Sequence, residues 1–300
     1  GRLWIGVVLM STATSLPEVF TDVSAALMDS PDLAAGDLFG SNMANMLILG
    51  IIDLMHRQKR IWQQAALEHT LTAGLAMLLT GLAAFFVLMK SDIIHLGVGI
   101  GSLTLVMIYV LGMRLVFRQE GMKRRQRERE ALLEGIAAKA DAAQHGDVRR
   151  AVAGFSAAAL VLLMAAPFLA GSAKEIAEQS GISATFIGAS LVGIATSLPE
   201  LVTSIAAVRL GAFDLAVGNL FGSNAFNMAA FFFVDVAYPG GALFGTVTSA
   251  HALTALWSIL MMNIGLMGII YRAEKRYMLI EPDSLLMIVS YVLGLWLLFR

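Results

Sequence analysis

Two glutamates stand at equivalent places in a stretch of sequence that occurs twice. Glu18 closes the run Thr-Ser-Leu-Pro-Glu at 14–18, and Glu200 closes the same run at 196–200. Both lie in the middle of strongly apolar segments, where an ionised carboxylate costs at least about 2–3 kcal/mol even on a lenient insertion scale. A packing role does not account for such a cost at two equivalent positions. The pair therefore indicates a functional site.

A second signature follows each glutamate, at the same offset of 182 residues between copies. It reads Gly-Asp-Leu-Phe-Gly-Ser-Asn-Met-Ala-Asn-Met at 36–46 and Gly-Asn-Leu-Phe-Gly-Ser-Asn-Ala-Phe-Asn-Met at 218–228. More than half of the positions are identical between 13–46 and 195–228, which marks an internal repeat. In each copy three polar residues are spaced four apart and share one helix face. They are Asp37, Ser41 and Asn45, and Asn219, Ser223 and Asn227.

Prolines before the two glutamates add backbone oxygens to this set. Pro17 and Pro199 each remove a backbone donor and displace the carbonyl four residues earlier, so we expect broken helices with free carbonyls at Ala13 and Ala195. A broken helix at membrane depth occurs where it lines a protein cavity. Carbonyl, hydroxyl and carboxylate oxygens are hard donors that suit Na⁺ or Ca²⁺. The duplicated segments therefore predict a cation site.

The composition predicts an integral membrane protein. Of the 300 residues, 58% are hydrophobic and 14% are charged, whereas soluble domains carry about a quarter charged residues. The net charge of −1 gives no indication of nucleic-acid binding. Cysteine is absent, which excludes disulfides and thiolate metal sites.

The histidines carry no recognisable metal motif. None shows His-Glu-x-x-His spacing, and the chain has no P-loop, so neither a zinc protease nor an ATPase is supported. His69 and His95 lie at span edges without partner acids nearby, and His251 is expected to be solvated. We therefore predict no enzyme activity and no bound cofactor.

Nine apolar segments are long enough to cross a membrane. They cover residues 3–28, 33–55, 65–89, 93–117, 151–171, 184–210, 213–237, 251–270 and 283–299. We predict an all-α polytopic fold with an N-terminal half at 1–117, a charged loop at 118–150 and a C-terminal half at 151–300. Four segments precede the loop and five follow it. If the duplication covers whole halves, we expect a ten-helix plan whose first helix would lie before Gly1.

The charged residues predict which loops share a side. If successive spans cross the membrane in alternating directions, the basic segments 56–60, 118–150 and 272–276 lie on one side. The positive-inside rule predicts that this side is cytoplasmic. The repeats then begin in spans one and six, an odd separation, so they enter the membrane in opposite directions. Inverted repeats are typical of secondary transporters, which bind their substrate near the bilayer midplane.

The paired motifs resemble the alpha-repeats of the cation/calcium exchanger superfamily, most nearly those of bacterial sodium/calcium antiporters. The resemblance implies an antiporter of the bacterial inner (plasma) membrane that exchanges Ca²⁺ for Na⁺. Its partners would be the lipid bilayer and the two ions; no protein partner is identified. The implied ligands are both glutamates together with Thr, Ser and Asn oxygens of the repeats. These residues are Glu18, Glu200, Thr14, Thr196, Ser15, Ser197, Ser41, Ser223, Asn45 and Asn227.

Three positions depart from a symmetric or family-like pattern. Some relatives carry an acid in place of Asn227, which leaves two certain carboxylates here. Asp22 and Asp37 stand where the second repeat has Ser204 and Asn219. Each is a third acid, a proton site or a bonded structural residue, and we favour the last.

Other functions stay open on the sequence alone. A Ca²⁺/H⁺ antiporter would use the same two glutamates, exchanging protons for the metal. A passive cation channel would need no counter-ion. An intramembrane enzyme would require a nucleophile or a metal-bound water, which the placement of the His and Ser residues does not offer.

Overall fold

The computed structural model describes residues 10–55, 69–133, 148–271 and 282–299. After a helical stretch at residues 10–14, these residues form α-helices, one π-helix and a small hairpin. In chain order the elements are α1 Leu16–Leu27, α2 Pro31–Met55, α3 His69–Met89, β1 Ile94–His95, β2 Val98–Gly99, α4 Ile100–Leu133, α5 Val148–Ser180, α6 Ala184–Ile187, the π-helix Gly188–Val192, α7 Gly193–Thr196, α8 Leu198–Arg209, α9 Phe213–Ala237, α10 Leu243–Thr246, α11 His251–Tyr271 and α12 Pro282–Phe299.

The helices that carry the second signature form the centre of the protein. In the described part of the chain, seven helical segments are long and apolar enough to cross a membrane, and the shorter α12 is also apolar. In the most apolar stretch of each helix, 78% of the residues of α2 and 72% of those of α9 are buried. In α5 the corresponding stretch, within residues 157–180, is 17% buried. The protein is therefore an all-α membrane protein whose polar motifs lie inside and whose outer helices present apolar side chains.

Glycines allow the central backbones to touch. α2 packs against α9, α11 and the π-helix, and α9 packs against α3 and α4. A Cβ atom on Gly40 would lie 2.4 Å from the backbone of Ala189, and one on Gly188 would lie 2.4 Å from the carbonyl oxygen of Leu33. Small residues at such positions let membrane helices approach closely, so these glycines set the distance between α2 and the π-helix.

Both glutamate-bearing segments are interrupted at the serine before Leu-Pro-Glu, as the prolines predict. Ser15 has φ −86° and ψ 7°, and Ser197 has φ −81° and ψ 3°. α1 and α8 begin at the next residue, so Pro17 and Pro199 lie in a first helical turn, where a missing N–H breaks no helical hydrogen bond. Each glutamate consequently lies in the first turn of a new helix.

Some helix boundaries differ from the hydropathy prediction. The sequence predicts a fourth span from residue 93, but α4 begins at Ile100 because β1 and β2 first pair as an antiparallel hairpin. α5 continues to Ser180, well past its apolar stretch, and α4 continues to Leu133, inside the segment predicted as a charged loop. Apolar length locates a span, but polar residues also extend helices beyond the membrane.

Several predicted features fall outside the described residues. They are the start of the first span at 3–9, the basic segments 56–60 and 272–276, the start of the third span at 65–68, and residues 134–147 of the charged loop.

Two histidine–aspartate contacts join the repeats, and they too are 182 residues apart. His251 Nε2 lies 2.8 Å from Asp32 Oδ1, and His69 Nε2 lies 3.3 Å from Asp214 Oδ1. Asp32 also accepts hydrogen bonds from the backbone N–H and the hydroxyl of Thr248, at 2.6 and 2.9 Å. The predictions that His69 lacks an acidic partner and that His251 is solvated are wrong. Their partners are distant in sequence, and His251 is fully buried.

Candidate cation site

The carboxylate of Glu200 is buried and is bonded from both repeats. Its Oε1 atom accepts hydrogen bonds from the hydroxyls of Ser15, at 3.1 Å, and Ser223, at 3.2 Å. Ser15 belongs to the helix break before α1, and Ser223 belongs to α9. The other oxygen, Oε2, is buried without a hydrogen-bond partner among the described residues. Glu200 therefore lies where the break of one repeat meets the signature of the other.

Glu18 is equally buried but has fewer donors. Neither of its carboxylate oxygens accepts a hydrogen bond of normal geometry from the described part of the chain, although Ser197 lies beside it. The carboxylate is close enough to Glu200 and Asp37 to experience their charges. Like charges in a buried region destabilise one another, so a cation placed among these acids would be strongly favoured.

The threonines of the two glutamate motifs contact the opposite repeat at equivalent positions. Thr14 Oγ1 donates to Asn219 Oδ1 at 3.4 Å, and Thr196 Oγ1 donates to Asp37 Oδ1 at 2.9 Å. Each threonine hydroxyl also lies near the serine of the opposite signature. These contacts are Thr14–Ser223 at 3.5 Å and Thr196–Ser41 at 3.2 Å. The internal repeat in the sequence thus corresponds to a repeat of contacts.

Four asparagines join the two signatures by reciprocal hydrogen bonds. The side-chain amides of Asn42 and Asn224 donate to each other's backbone carbonyls, at 3.4 and 3.3 Å. Asn45 Nδ2 donates to Asn224 Oδ1 at 2.9 Å, and Asn227 Nδ2 donates to Asn42 Oδ1 at 3.2 Å. Because the amide groups are bonded in this way, the Oδ1 atoms of Asn45 and Asn227 are buried acceptors with no donor among the described residues.

Buried acceptor oxygens without donors concentrate in this region. Within the described ranges they are both carboxylate oxygens of Glu18 and Asp22 and one side-chain oxygen each of Glu200, Asp37, Asn45 and Asn227. Leaving one such group unsatisfied costs about 1–3 kcal/mol. All of these carboxylate and amide oxygens accept and none donates, so a hard cation, which prefers oxygen ligands, would satisfy several at once. The hydroxyls of Ser197 and Ser204 and the Nδ2 donor of Asn219 also lack partners in the described ranges.

Such a site would combine carboxylates with neutral oxygens. The described residues contain no group of three or more His, Cys, Asp or Glu side chains arranged to hold a metal ion. The ligands around the two glutamates would therefore come in large part from hydroxyl and amide groups.

All ten residues of the predicted ligand set are buried, and they lie at the two helix breaks or on α2 and α9. Sequence reasoning missed the amides of Asn42 and Asn224, which the repeat offset could have identified. It also missed the carbonyl oxygens of Ser11 and Gly193, which lie 3.4 Å from the hydroxyl oxygens of Ser223 and Ser41, respectively. Each lies two residues before the carbonyl that the proline spacing predicts, at Ala13 or Ala195.

Comparison with known proteins identifies relatives that match most of the chain. The sequence model of the family described as "Sodium/calcium exchanger protein" matches residues 2–118 and 150–300. The inner membrane protein YrbG of Escherichia coli is 33% identical over 230 residues, covering 75% of this chain and 66% of YrbG, slightly less than two thirds of its length. The sodium/calcium exchanger MaX1 of Methanosarcina acetivorans is 25% identical over 252 residues, covering 75% of this chain and 70% of MaX1.

The same fold occurs among solved structures. A structure of the sodium-calcium exchanger NCX_Mj, soaked with Na⁺ and Sr²⁺, superposes with a TM-score of 0.60 and 21% sequence identity, covering 99% of this chain and 86% of that chain. At this level of identity the similarity shows a shared all-α membrane fold.

Proposed function

Because this chain belongs to the sodium/calcium exchanger family, we propose that it is an antiporter that moves Ca²⁺ across the membrane in exchange for Na⁺. The family consists of ion transporters rather than enzymes. One observation carries the proposal: Glu18 and Glu200, one from each repeat, share a buried region with acceptor oxygens that have no donors in the described chain.

Competition for shared oxygens would couple the two ion fluxes. Ca²⁺ takes six to eight oxygen ligands, and the charges of Glu18 and Glu200 match those of one Ca²⁺ ion. The remaining ligands are the Thr, Ser and Asn oxygens of the set predicted above. Na⁺ ions bound to the same carboxylates exclude Ca²⁺, so the gradient of one ion drives the other without ATP.

The proposed architecture consists of two inverted repeats in an inner membrane. Contacts exchanged at the 182-residue offset support a two-fold relation between the halves 1–117 and 151–300. With alternating spans and a cytoplasmic segment at 118–150, α2 and α9 begin on opposite sides, so the axis lies in the membrane plane. The His251–Asp32 and His69–Asp214 contacts then lie at opposite faces of the bilayer.

Alternating access would arise from movement of the broken segments against a support. α1 packs against α5, whose apolar stretch is 17% buried. The spans that follow each repeat, α3 with α4 and α11 with α12, lack the polar motifs and would form the support. Rigid-body movement of one group past the other around a fixed site is a common transporter mechanism.

Flux into proteoliposomes tests the proposal. We expect ⁴⁵Ca²⁺ uptake into vesicles loaded with Na⁺ and none into vesicles loaded with choline. Glu200→Gln and Glu18→Gln should each reduce uptake by about tenfold or more, because each removes a charged ligand. Glu178→Gln is the matched control, since Glu178 is an exposed residue near the end of α5.

Two results would overturn the assignment. If the Glu200→Gln variant takes up ⁴⁵Ca²⁺ at the wild-type rate, the carboxylate pair does not bind the transported ion. Uptake driven by a pH gradient without Na⁺ would replace Na⁺ by H⁺ as the counter-ion, which is the alternative that uses the same glutamates.

A further inference from the structure

Two aspartates of the first repeat have neutral counterparts in the second. Asp22 lies one turn after Glu18 on α1, and Asp37 lies one turn before Ser41 on α2. Each is about six residues from the turn that joins the two helices. At about 1.5 Å of rise per residue, the two side chains are at the same depth.

The Asp37 carboxylate is held from one side only. Its Oδ1 atom accepts hydrogen bonds from the hydroxyls of Ser41 and Thr196, both at 2.9 Å. Its Oδ2 atom is buried and has no donor among the described residues. The two hydroxyls therefore fix the orientation of the carboxylate and leave one oxygen free.

Asp22 approaches this group from α1. Asp22 is 1% exposed, its carboxyl is a hydrogen-bonding neighbour of the Asp37 carboxyl, and no other described group donates to its oxygens. Ionised carboxylates only accept, so the pair brings together three oxygens that no other described group satisfies. Two carboxylates that share a buried site do not both stay ionised unless a positive charge, a proton or a metal cation, lies between them.

The protein's own side chains do not provide that charge in the described ranges. The His–Asp contacts there involve Asp32 and Asp214 instead. At the equivalent place in the second repeat, Ser204 and Asn219 are neutral, so no cation is required there.

We propose that Asp22 and Asp37 form a one-sided cation subsite that takes Na⁺, in addition to the ions bound at Glu18 and Glu200. The inference rests on the proposed function and specifies a further binding position for its counter-ion. Three free carboxylate oxygens fall short of the six to eight ligands of Ca²⁺, whereas a smaller shell with a hydroxyl of Ser41 or Thr196 suits a monovalent ion. In the proposed topology the subsite lies on the extracytoplasmic side of the glutamates.

The test counts bound ²²Na⁺ per chain at equilibrium in purified protein without Ca²⁺. Asp22→Ser and Asp37→Asn each install the residue of the second repeat, and we expect each to bind one Na⁺ fewer than the wild type. Asp29→Asn, in the exposed turn between α1 and α2, should bind the wild-type number. An unchanged count in the two variants would overturn the subsite, leaving the pair to share a proton.

A reciprocal variant guards against loss of folding. Ser204→Asp combined with Asn219→Asp builds the same pair in the second repeat and should bind one Na⁺ more than the wild type; no gain would count against the subsite. The result is separate from that of the flux experiment, because Na⁺ is counted without Ca²⁺. If the wild-type protein does not exchange ⁴⁵Ca²⁺ for Na⁺ but Asp37→Asn still binds one Na⁺ fewer, the antiporter proposal fails and the subsite stands.

Discussion

The two glutamates have the same motif but different donors. Glu200 accepts hydrogen bonds from Ser15 and Ser223. The equivalent of Ser223 is Ser41, which donates to Asp37 instead of Glu18. A single difference between the repeats, aspartate for asparagine, therefore redirects a hydroxyl and makes the two halves of the site unequal.

Ser223→Ala should weaken Ca²⁺ binding by roughly tenfold, since a hydrogen bond to a charged group contributes about 1.5–3 kcal/mol. Equilibrium binding of ⁴⁵Ca²⁺ measures the effect. Ser24→Ala is the control, because within the described ranges the Ser24 hydroxyl donates to the carbonyl of Phe20 in its own helix. Equal affinities for the two variants would mean that Ser223 does not position or bind the ion.

The duplicated motif was sufficient to predict which residues lie together, but not how they are bonded. The expectation that Asp22 and Asp37 are bonded structural residues stays a prediction, and the cation subsite proposed for them is the alternative to it. The contact of Asp37 with Asp22 could not be predicted, because it depends on the equal depth of two side chains on neighbouring helices. The pairing of His251 with Asp32 was missed because 219 residues separate them.

At the scale of elements, close backbone packing fixes the position of α2 against the π-helix. Gly40 and Gly188 face each other's helices at distances that admit no side chain. The π-helix inserts one extra residue into a turn beside the site, as π-turns often do near functional groups. Hydropathy does not reveal such a turn, since the added residue is as apolar as its neighbours.

Gly40→Ala should destabilise the protein by about 1–3 kcal/mol, the usual range for overpacking, because the new methyl group would meet the Ala189 backbone. Gly74→Ala is the matched control within another apolar helix, since a Cβ there meets no atom within 4 Å. Thermal unfolding in detergent should show a lower Tm for the first variant only. A Tm for Gly40→Ala equal to that of the control would contradict the proposed packing.

The histidine–aspartate contacts stabilise the junction between helices of the two repeats. Asp32 holds the start of α11 through His251 and Thr248. Asp32→Asn should therefore lower the stability by about 1–2 kcal/mol, from the loss of charged hydrogen bonds. Asp29→Asn, three residues earlier and exposed, should leave the Tm unchanged. If the Tm of Asp32→Asn also stays at the wild-type value, the contact does not stabilise the junction.

Across the chain, contacts made by one repeat recur in the other at one constant sequence offset. The hydroxyl contacts, the asparagine hydrogen bonds and the histidine–aspartate contacts all recur after 182 residues. Composition was sufficient to predict a polytopic helical protein. Helix ends were less predictable, since the hairpin before α4 and the polar end of α5 depend on local pairing rather than on hydropathy.

The absence of cysteine allows the topology to be tested directly. Single cysteines at Glu178 and Leu96 should react with a membrane-impermeant thiol reagent added to intact cells. Leu210→Cys, at a position that is 85% exposed, should react only after the cells are made permeable. The unmodified chain is the control for background labelling, and labelling of all three from the same side would exclude the inverted arrangement.

In the proposed exchanger, one cation binds between acids from the two repeats. Anomalous diffraction from crystals grown with Ca²⁺ and without Na⁺ would locate that ion. We expect a peak in contact with both Glu18 and Glu200, at the oxygen distances of about 2.3–2.6 Å that Ca²⁺ adopts. A bound Ca²⁺ that touches neither carboxylate would contradict the proposed exchange site.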